Sequence, residues 1–426
     1  MSKPILSIDF GTSHSLVGGF TGKSRIEPIQ IDPYAADRTL MRTLMYFPSA
    51  DRCYYGSEAL KQFNEHEMEG RLFRSFKSHL PNKNYIGTVI DNRILSLENL
   101  VGTFLLELKK RAEAHLQTKF ERVVIGRPAR YSMDDVSHEF AIWRMQKAAE
   151  FAGFKEVKFV PEPIAAALDF KREITAEKLV LIGDFGGGTS DFTVMKMSPK
   201  KFNKSDVLSV DGCPLAGDAL DSLFMQNRLN VGFGARAAYR LPMSGNVLTM
   251  PQAVMERLNK PAHIVHLKER DTYEFIKEVR KCALREADKK NIDRLFILIE
   301  DQQIFPFFEE IENTKKTLSS KETAKFNFEY PDLETVEVFS EAEFVSWAET
   351  TKKEIFSALD RCLQTAGLSY SQIDQIFMTG GTAHVPFIQK EFIARFGFEK
   401  MQSKNMFHSI LSGLIESASN WDNLET

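Results

Sequence analysis

Two short strings in this chain place an acid, glycines and hydroxyls in the same order. The first is Ile8-Asp9-Phe10-Gly11-Thr12-Ser13-His14-Ser15, and the second is Gly183-Asp184-Phe185-Gly186-Gly187-Gly188-Thr189-Ser190-Asp191. Glycine lets the backbone approach an anion closely. Amide N–H groups and Thr or Ser hydroxyls donate hydrogen bonds to phosphate oxygens. Carboxylates such as Asp9 and Asp184 hold Mg²⁺, usually through its water shell. One such loop reads equally well as an ordinary hairpin. Two in one chain point to two related half-domains that address a single nucleotide.

The elements around the loops support that reading. Apolar runs precede both, Pro4-Ile5-Leu6-Ser7-Ile8 and Leu179-Val180-Leu181-Ile182, and second strands follow, Leu16–Phe20 and Phe192–Met197. Further along, strand and helix signals alternate, which predicts an α/β architecture. Leu97, Leu100, Val101, Phe104, Leu105, Leu108 and Leu116 form one helical face, with Ser96 as its N-cap. A strand over Arg122–Gly126 stops at Arg127-Pro128, and a helix over Asp134–Phe151 ends at Gly153. Another strand reaches Pro161-Glu162-Pro163, and Ile164-Ala165-Ala166-Ala167 opens a helix of small residues. Glycine and proline punctuate Asn227–Asp271, predicting short elements and loops there. Beyond it the pattern predicts helices over Glu274–Lys290, Phe308–Leu318 and Phe344–Ala366, a strand over Ala324–Tyr330, and a last strand over Ile373–Met378.

At 426 residues the chain has room for two lobes of roughly 200 residues each. A hydrophobic content of 43% with 27% charged residues is that of an ordinary globular protein, and the net charge of −3 offers nothing to nucleic acid or an anionic membrane. No apolar run approaches the ~18 residues needed to span a bilayer, and the start has no signal-peptide pattern, so a cytoplasmic setting is expected. Cys53, Cys213, Cys282 and Cys362 are scattered without a Cys-x-x-Cys pair, as reduced thiols would be. His263 and His266 have no further ligand at zinc spacing and read as surface or core residues.

With both loops placed, the pattern resembles the actin-like ATPase superfamily and, within it, the DnaK-type heat-shock protein 70 family. Ile8–Ser15 looks like the first phosphate motif and Asp184–Asp191 like the second. Val124–Ala129 and Pro161–Ala167 resemble the segments that connect the lobes, and Asp211–Asp221 resembles a glycine-bearing turn after them. Glu312–Ser319 resembles the adenosine-binding helix and Thr379–Pro386 the adenosine motif. The Ile125-Gly126-Arg127-Pro128 wording is most similar to the YegD branch, a chaperone-like group of bacterial proteins.

The resemblance implies two lobes, each built on a ribonuclease-H-like mixed sheet with flanking helices, and MgATP in the cleft. Lobe I would hold residues 1–183, completed by 402–426, and lobe II would hold 184–401 with an irregular insertion around 227–271; no C-terminal peptide-binding domain is expected. Asp9, Gly11, Thr12, Ser13 and His14 would grip phosphate from one side, and Gly186, Gly187, Gly188 and Thr189 from the other. Asp9 and Asp184, with Asp191 nearby, would hold hydrated Mg²⁺. Lys77 matches the family lysine that reaches the γ-phosphate and the attacking water, and Glu162 matches the acid that positions that water. Asp184 and Thr189 would orient or accept its protons. Gly217, Glu312, Lys315, Lys316 and Ser319, with Gly380, Gly381, Thr382 and His384, would hold adenosine. His384 and Phe407 depart from the family pattern, which has an arginine and an acid there, and Arg144 is a candidate partner for the family's proline–arginine relay.

The residues alone allow plainer readings. Lys77 stands in a basic run with Arg71 and Arg74 that would suit a solvated face. Lys315 and Lys316 would serve equally as exposed helix charges, and Glu162 between two prolines could simply end a strand. The function expected is a monomeric, chaperone-like ATPase that hydrolyses ATP to ADP slowly and couples cleft movement to protein clients, J-domain proteins or exchange factors. A nucleotide-dependent actin-like scaffold and a small-metabolite kinase of the same superfamily are the alternatives.

Overall fold

Ile5–Phe10 is buried at every position, so both faces of this strand are covered and it must lie inside a sheet. It pairs antiparallel with His14–Phe20, which continues into Arg25–Ile26, and parallel with Arg122–Arg127, which pairs in turn with Glu156–Pro161. Lys178–Phe185 repeats the arrangement. It pairs antiparallel with Ser190–Met197, which continues into Val207–Cys213, and parallel with Gln375–Thr379, followed by Met401–Gln402. Both sheets therefore have the same wiring: a three-strand meander, with two parallel strands added beside its first strand.

The computed structural model describes residues 3–66, 69–132, 134–170, 175–198, 204–242, 245–260, 266–402 and 408–423. His263, Asn405, Met406, Phe407 and residues 424–426 lie outside the described residues. The chain divides into two compact units, 1–216 with 354–384 and 388–426, and 217–353 with 385–387. The 183/184 boundary expected between lobes falls inside the strand Lys178–Phe185 of the first unit.

In the first unit, Leu97–Leu116 begins on Ser96, whose side chain accepts from the Asn99 amide, and Asp135–Phe151 begins on Asp134, whose carboxylate accepts from Ser137. These helices enclose Phe10, Phe76, Phe104, Leu105, Ala148 and Met145 in one core. Glu162–Phe170 packs against Ser409–Ser419 at very short range: a methyl group on Gly413 would overlap the Ala165 carbonyl. Only glycine permits that approach.

The second unit is mainly helical, with a hairpin of Thr323–Phe328 and Thr335–Ser340. Aromatic side chains fill it, including Phe224 edge-on to Phe339 and Phe307 edge-on to Phe233 and Phe326. Asn227–Asp271 supplies a 3-10 turn, a two-residue ribbon and the helix Gln252–Asn259. The single helix expected over Glu274–Lys290 is instead two, Arg270–Lys281 and Glu286–Glu300. The reason is a backbone competition. Leu284 donates its amide to Ala238, Arg240 donates to the Cys282 carbonyl, and Ala283 bridges to Tyr239, so residues 282–285 pair sideways with the ribbon instead of continuing the helix. Among the described residues, no helix is long and apolar enough to cross a membrane.

Candidate functional site

The two glycine turns close alike. The Gly11 amide donates to the His14 carbonyl at 3.0 Å, and the Gly186 amide donates to the Thr189 carbonyl at 3.0 Å. A side chain on Gly11 would overlap the His14 carbonyl, so this turn requires glycine. The turns also face one another within the first unit: a Cβ built on Gly188 would lie 4.0 Å from Thr12 Oγ1. Hydroxyls brace them from behind. Thr43 Oγ1 donates to the Gly11 carbonyl at 2.8 Å, and Thr382 Oγ1 donates to the Gly186 carbonyl at 3.0 Å. At Gly380 the backbone lies at φ +84° against the Phe185 carbonyl, with no room for a side chain.

Acids cluster at the strand ends beside these turns. Asp9 is the penultimate residue of Ile5–Phe10, and Asp184 and Asp191 are paired residues across the second hairpin. All three are buried, as are Glu162 and Lys77. Lys77 Nζ donates to Glu162 Oε1 at 2.9 Å and to the Phe10 carbonyl at 2.5 Å. Thr379 Oγ1 donates to Asp184 at 2.6 Å, and Thr189 Oγ1 to Asp191 at 2.8 Å.

Burial, followed by the charge of Glu162, pushes the Asp184 carboxyl up to about 6. Burial and then Glu162 raise Asp9 well above the usual carboxylate range, and burial and then Asp184 do the same to Asp191. Burial opposes the charge on Lys77, but Glu162, Tyr131 and Asp9 outweigh it and hold the ammonium above its ordinary value. The site thus has an excess of carboxylates over ammonium groups, an arrangement a bound cation would relieve. Among the described residues, no three His, Cys, Asp or Glu side chains are grouped as direct ligands for a metal ion. Carboxylates that hold Mg²⁺ through its water shell need no such grouping.

Tyr131 was not singled out from the sequence. Its hydroxyl is buried without a hydrogen-bond partner among the described residues, in the field of Lys77, Glu162 and Arg127, and burial pushes it up to about 12. A buried hydroxyl unsatisfied by protein beside these charges fits a group whose partner is a bound water or ligand. Thr43 and Thr379 were likewise missed as supports. Thr379 stands directly between an apolar strand and Gly380-Gly381, and that position was the available signal.

The plainer readings separate here. Lys77 is 6% exposed rather than part of a solvated face, and Glu162 follows the strand Glu156–Pro161, begins the helix Glu162–Phe170 and neutralises Lys77. In the second unit, Lys315 is buried against Asp221 at 2.7 Å and donates to the Gly217 carbonyl, whereas Lys316 is an exposed helix charge paired with Glu312 at 2.8 Å. Ser319 Oγ donates to the Lys315 carbonyl at the end of the same helix, Ile304–Leu318. Gly381 and His384 lie in a 3-10 turn of the first unit.

A family model described as Hsp70 protein matches residues 60–227 and 278–410, more than half of the chain. The interval between the matched stretches, 228–277, nearly coincides with the irregular segment Asn227–Asp271.

Proposed function

This chain belongs to the Hsp70 family, chaperone-like nucleotide-binding ATPases built on the two-lobed actin-like fold, and from that premise we propose that it binds MgATP at the paired turns and slowly hydrolyses it to ADP under the control of protein partners. The observation that supports this most is the meeting of Thr12 and Gly188 beside Asp9, Asp184 and the Lys77–Glu162 pair.

Phosphoryl transfer to water needs positioning and charge neutralisation more than covalent participation by the protein. The amides and hydroxyls of Gly11, Thr12, Ser13 and His14 would bind phosphate oxygens from one turn, and Gly186, Gly187, Gly188 and Thr189 from the other. Lys77, kept charged by Glu162, would stabilise charge developing on the γ-phosphate. Glu162 and Asp184 would orient the attacking water and accept its proton, with Thr189 and the Tyr131 hydroxyl donating nearby. Mg²⁺, held through water by Asp9, Asp184 and Asp191, would neutralise phosphate charge. Contacts to adenosine are assigned by motif to Gly217, Glu312, Lys315, Lys316, Ser319, Gly380, Gly381, Thr382 and His384. We also propose membership of the YegD branch, on Ile125-Gly126-Arg127-Pro128, and a monomeric, cytoplasmic protein with lobes at 1–183 with 402–426 and at 184–401.

The test is calorimetry with MgATP, followed by single-turnover hydrolysis with and without an unfolded client and a J-domain protein. Heat of binding and slow release of phosphate, accelerated by the partners, is the expected result. No heat with magnesium and ATP, or transfer of the γ-phosphate to a sugar in place of water, would overturn the proposal.

A further inference from the structure

Lys77 is carried by a short 3-10 turn, Phe76–His79, that follows Ser75 at φ 54°. A non-glycine residue in the left-handed region costs energy and persists only where its surroundings hold it. The segment after the turn, 80–86, contains no regular strand or helix and supports itself mainly through single turn hydrogen bonds and the stack of His79 on Tyr85 at 4.3 Å.

One side chain from another element gathers several carbonyls of this segment. Arg144 sits in the helix Asp135–Phe151 and is 3% exposed. Its Nη1 donates to the carbonyls of His79, Leu80 and Asn82 at 3.2, 3.3 and 3.0 Å, and its Nη2 donates to the Tyr85 carbonyl at 2.9 Å. Glu98 balances the charge, 2.8 Å from Nε, and the Phe140 ring lies 4.4 Å from the guanidinium carbon. A planar, permanently charged fork can gather several carbonyls at once, which an ammonium cannot do as well.

We infer that Arg144 is a positioning residue for Lys77: by gathering the carbonyls of His79, Leu80, Asn82 and Tyr85, it fixes the turn from which the ammonium reaches Glu162. The inference rests on the reading that Lys77 acts at the phosphate. Lysine is a point charge on a flexible stem, so its reach is set by where its backbone is anchored. Displacement by about 1 Å can cost roughly 10²-fold in rate. Glu98, on the helix Leu97–Leu116, and Arg144 thereby tie two helices to the lysine turn.

The experiment is a double-mutant cycle on the full chain, read by single-turnover ATP hydrolysis and by affinity for a fluorescent nucleotide. Arg144→Met is expected to slow hydrolysis about tenfold or more while changing affinity by less than about threefold. Adding it to Lys77→Met should slow the reaction no further, because both changes remove the same interaction. Arg144→Lys should recover part of the loss. Hydrolysis by Arg144→Met within about twofold of the unmodified protein, or losses that multiply in the double variant, would overturn the inference. Should Arg144→Met fail to fold by circular dichroism, Glu98→Gln takes its place in the same cycle, with the same two outcomes. A chain that binds nucleotide but never hydrolyses it would refute the proposed function instead. The Arg144 inference would then be decided by hydrogen exchange over 77–86: faster in Arg144→Met supports it, and unchanged exchange refutes it.

Discussion

Replacing Lys77 by Met should destabilise the ligand-free protein, increasingly as pH rises. The side chain is buried, and its ammonium lies 2.9 Å from Glu162 Oε1. At an effective dielectric of about 20, opposite charges at that distance attract by about 6 kcal/mol, much of it offset by desolvation. Removing one partner leaves the other charge uncompensated, which costs about 3–5 kcal/mol. Here the stranded carboxylate also faces Asp9 and Asp184. The pH dependence follows from the direction of these shifts. A carboxyl whose folded value is raised stabilises the fold at low pH, and that contribution is lost as pH rises through the folded value, about 6 for Asp184. Loss of the ammonium raises these values further, so the deficit of Lys77→Met against the unmodified protein should be larger at pH 8 than at pH 5. Thermal melting at both pH values is the assay, with a drop of at least about 5 °C expected at pH 8. Lys77→Met with Glu162→Gln should recover most of that drop without restoring hydrolysis. A single variant that melts within about 2 °C of the unmodified protein at pH 8, or a double variant no more stable than the single, would refute the reasoning.

Asp184→Asn should slow single-turnover hydrolysis by about 10²-fold or more; a rate near that of the unmodified protein would remove Asp184 from the reaction. Binding of Mg²⁺·ADP should release protons near pH 6, where burial keeps the Asp184 carboxyl partly protonated. Calorimetry at pH 6 in two buffers of different ionisation heat measures this, and binding without proton release would contradict it. Gly413→Ala should cost about 2–3 kcal/mol or more, because its methyl group meets the Ala165 carbonyl; an unchanged melting temperature would show that the two helices can separate cheaply.

The hairpins and their glycine turns were legible because the signals are local. A buried apolar run, an acid and a glycine turn all lie within about ten residues. The cap at Ser96 was legible for the same reason, since it acts on an amide three residues away. The break at residues 282–285 was not, because the ribbon that competes for those backbone groups lies some 40 residues earlier in the chain. Nor could spacing separate Lys315 from Lys316. They are neighbours on one helix, and only Asp221 decides which of them is buried.

From its residues alone, the chain determined the order of strand, acid and glycine turn, twice over, and hence the kind of ligand such turns can grip. Tertiary structure decided that Lys77, Glu162, Asp9, Asp184 and Tyr131 share one electrostatic environment, and that Arg144 holds the lysine turn. The physical reason is separation along the chain. Lys77 and Glu162 are 85 residues apart, so nothing local brings them together, and it is the parallel pairing of Ile5–Phe10, Arg122–Arg127 and Glu156–Pro161 that carries the acid to the lysine.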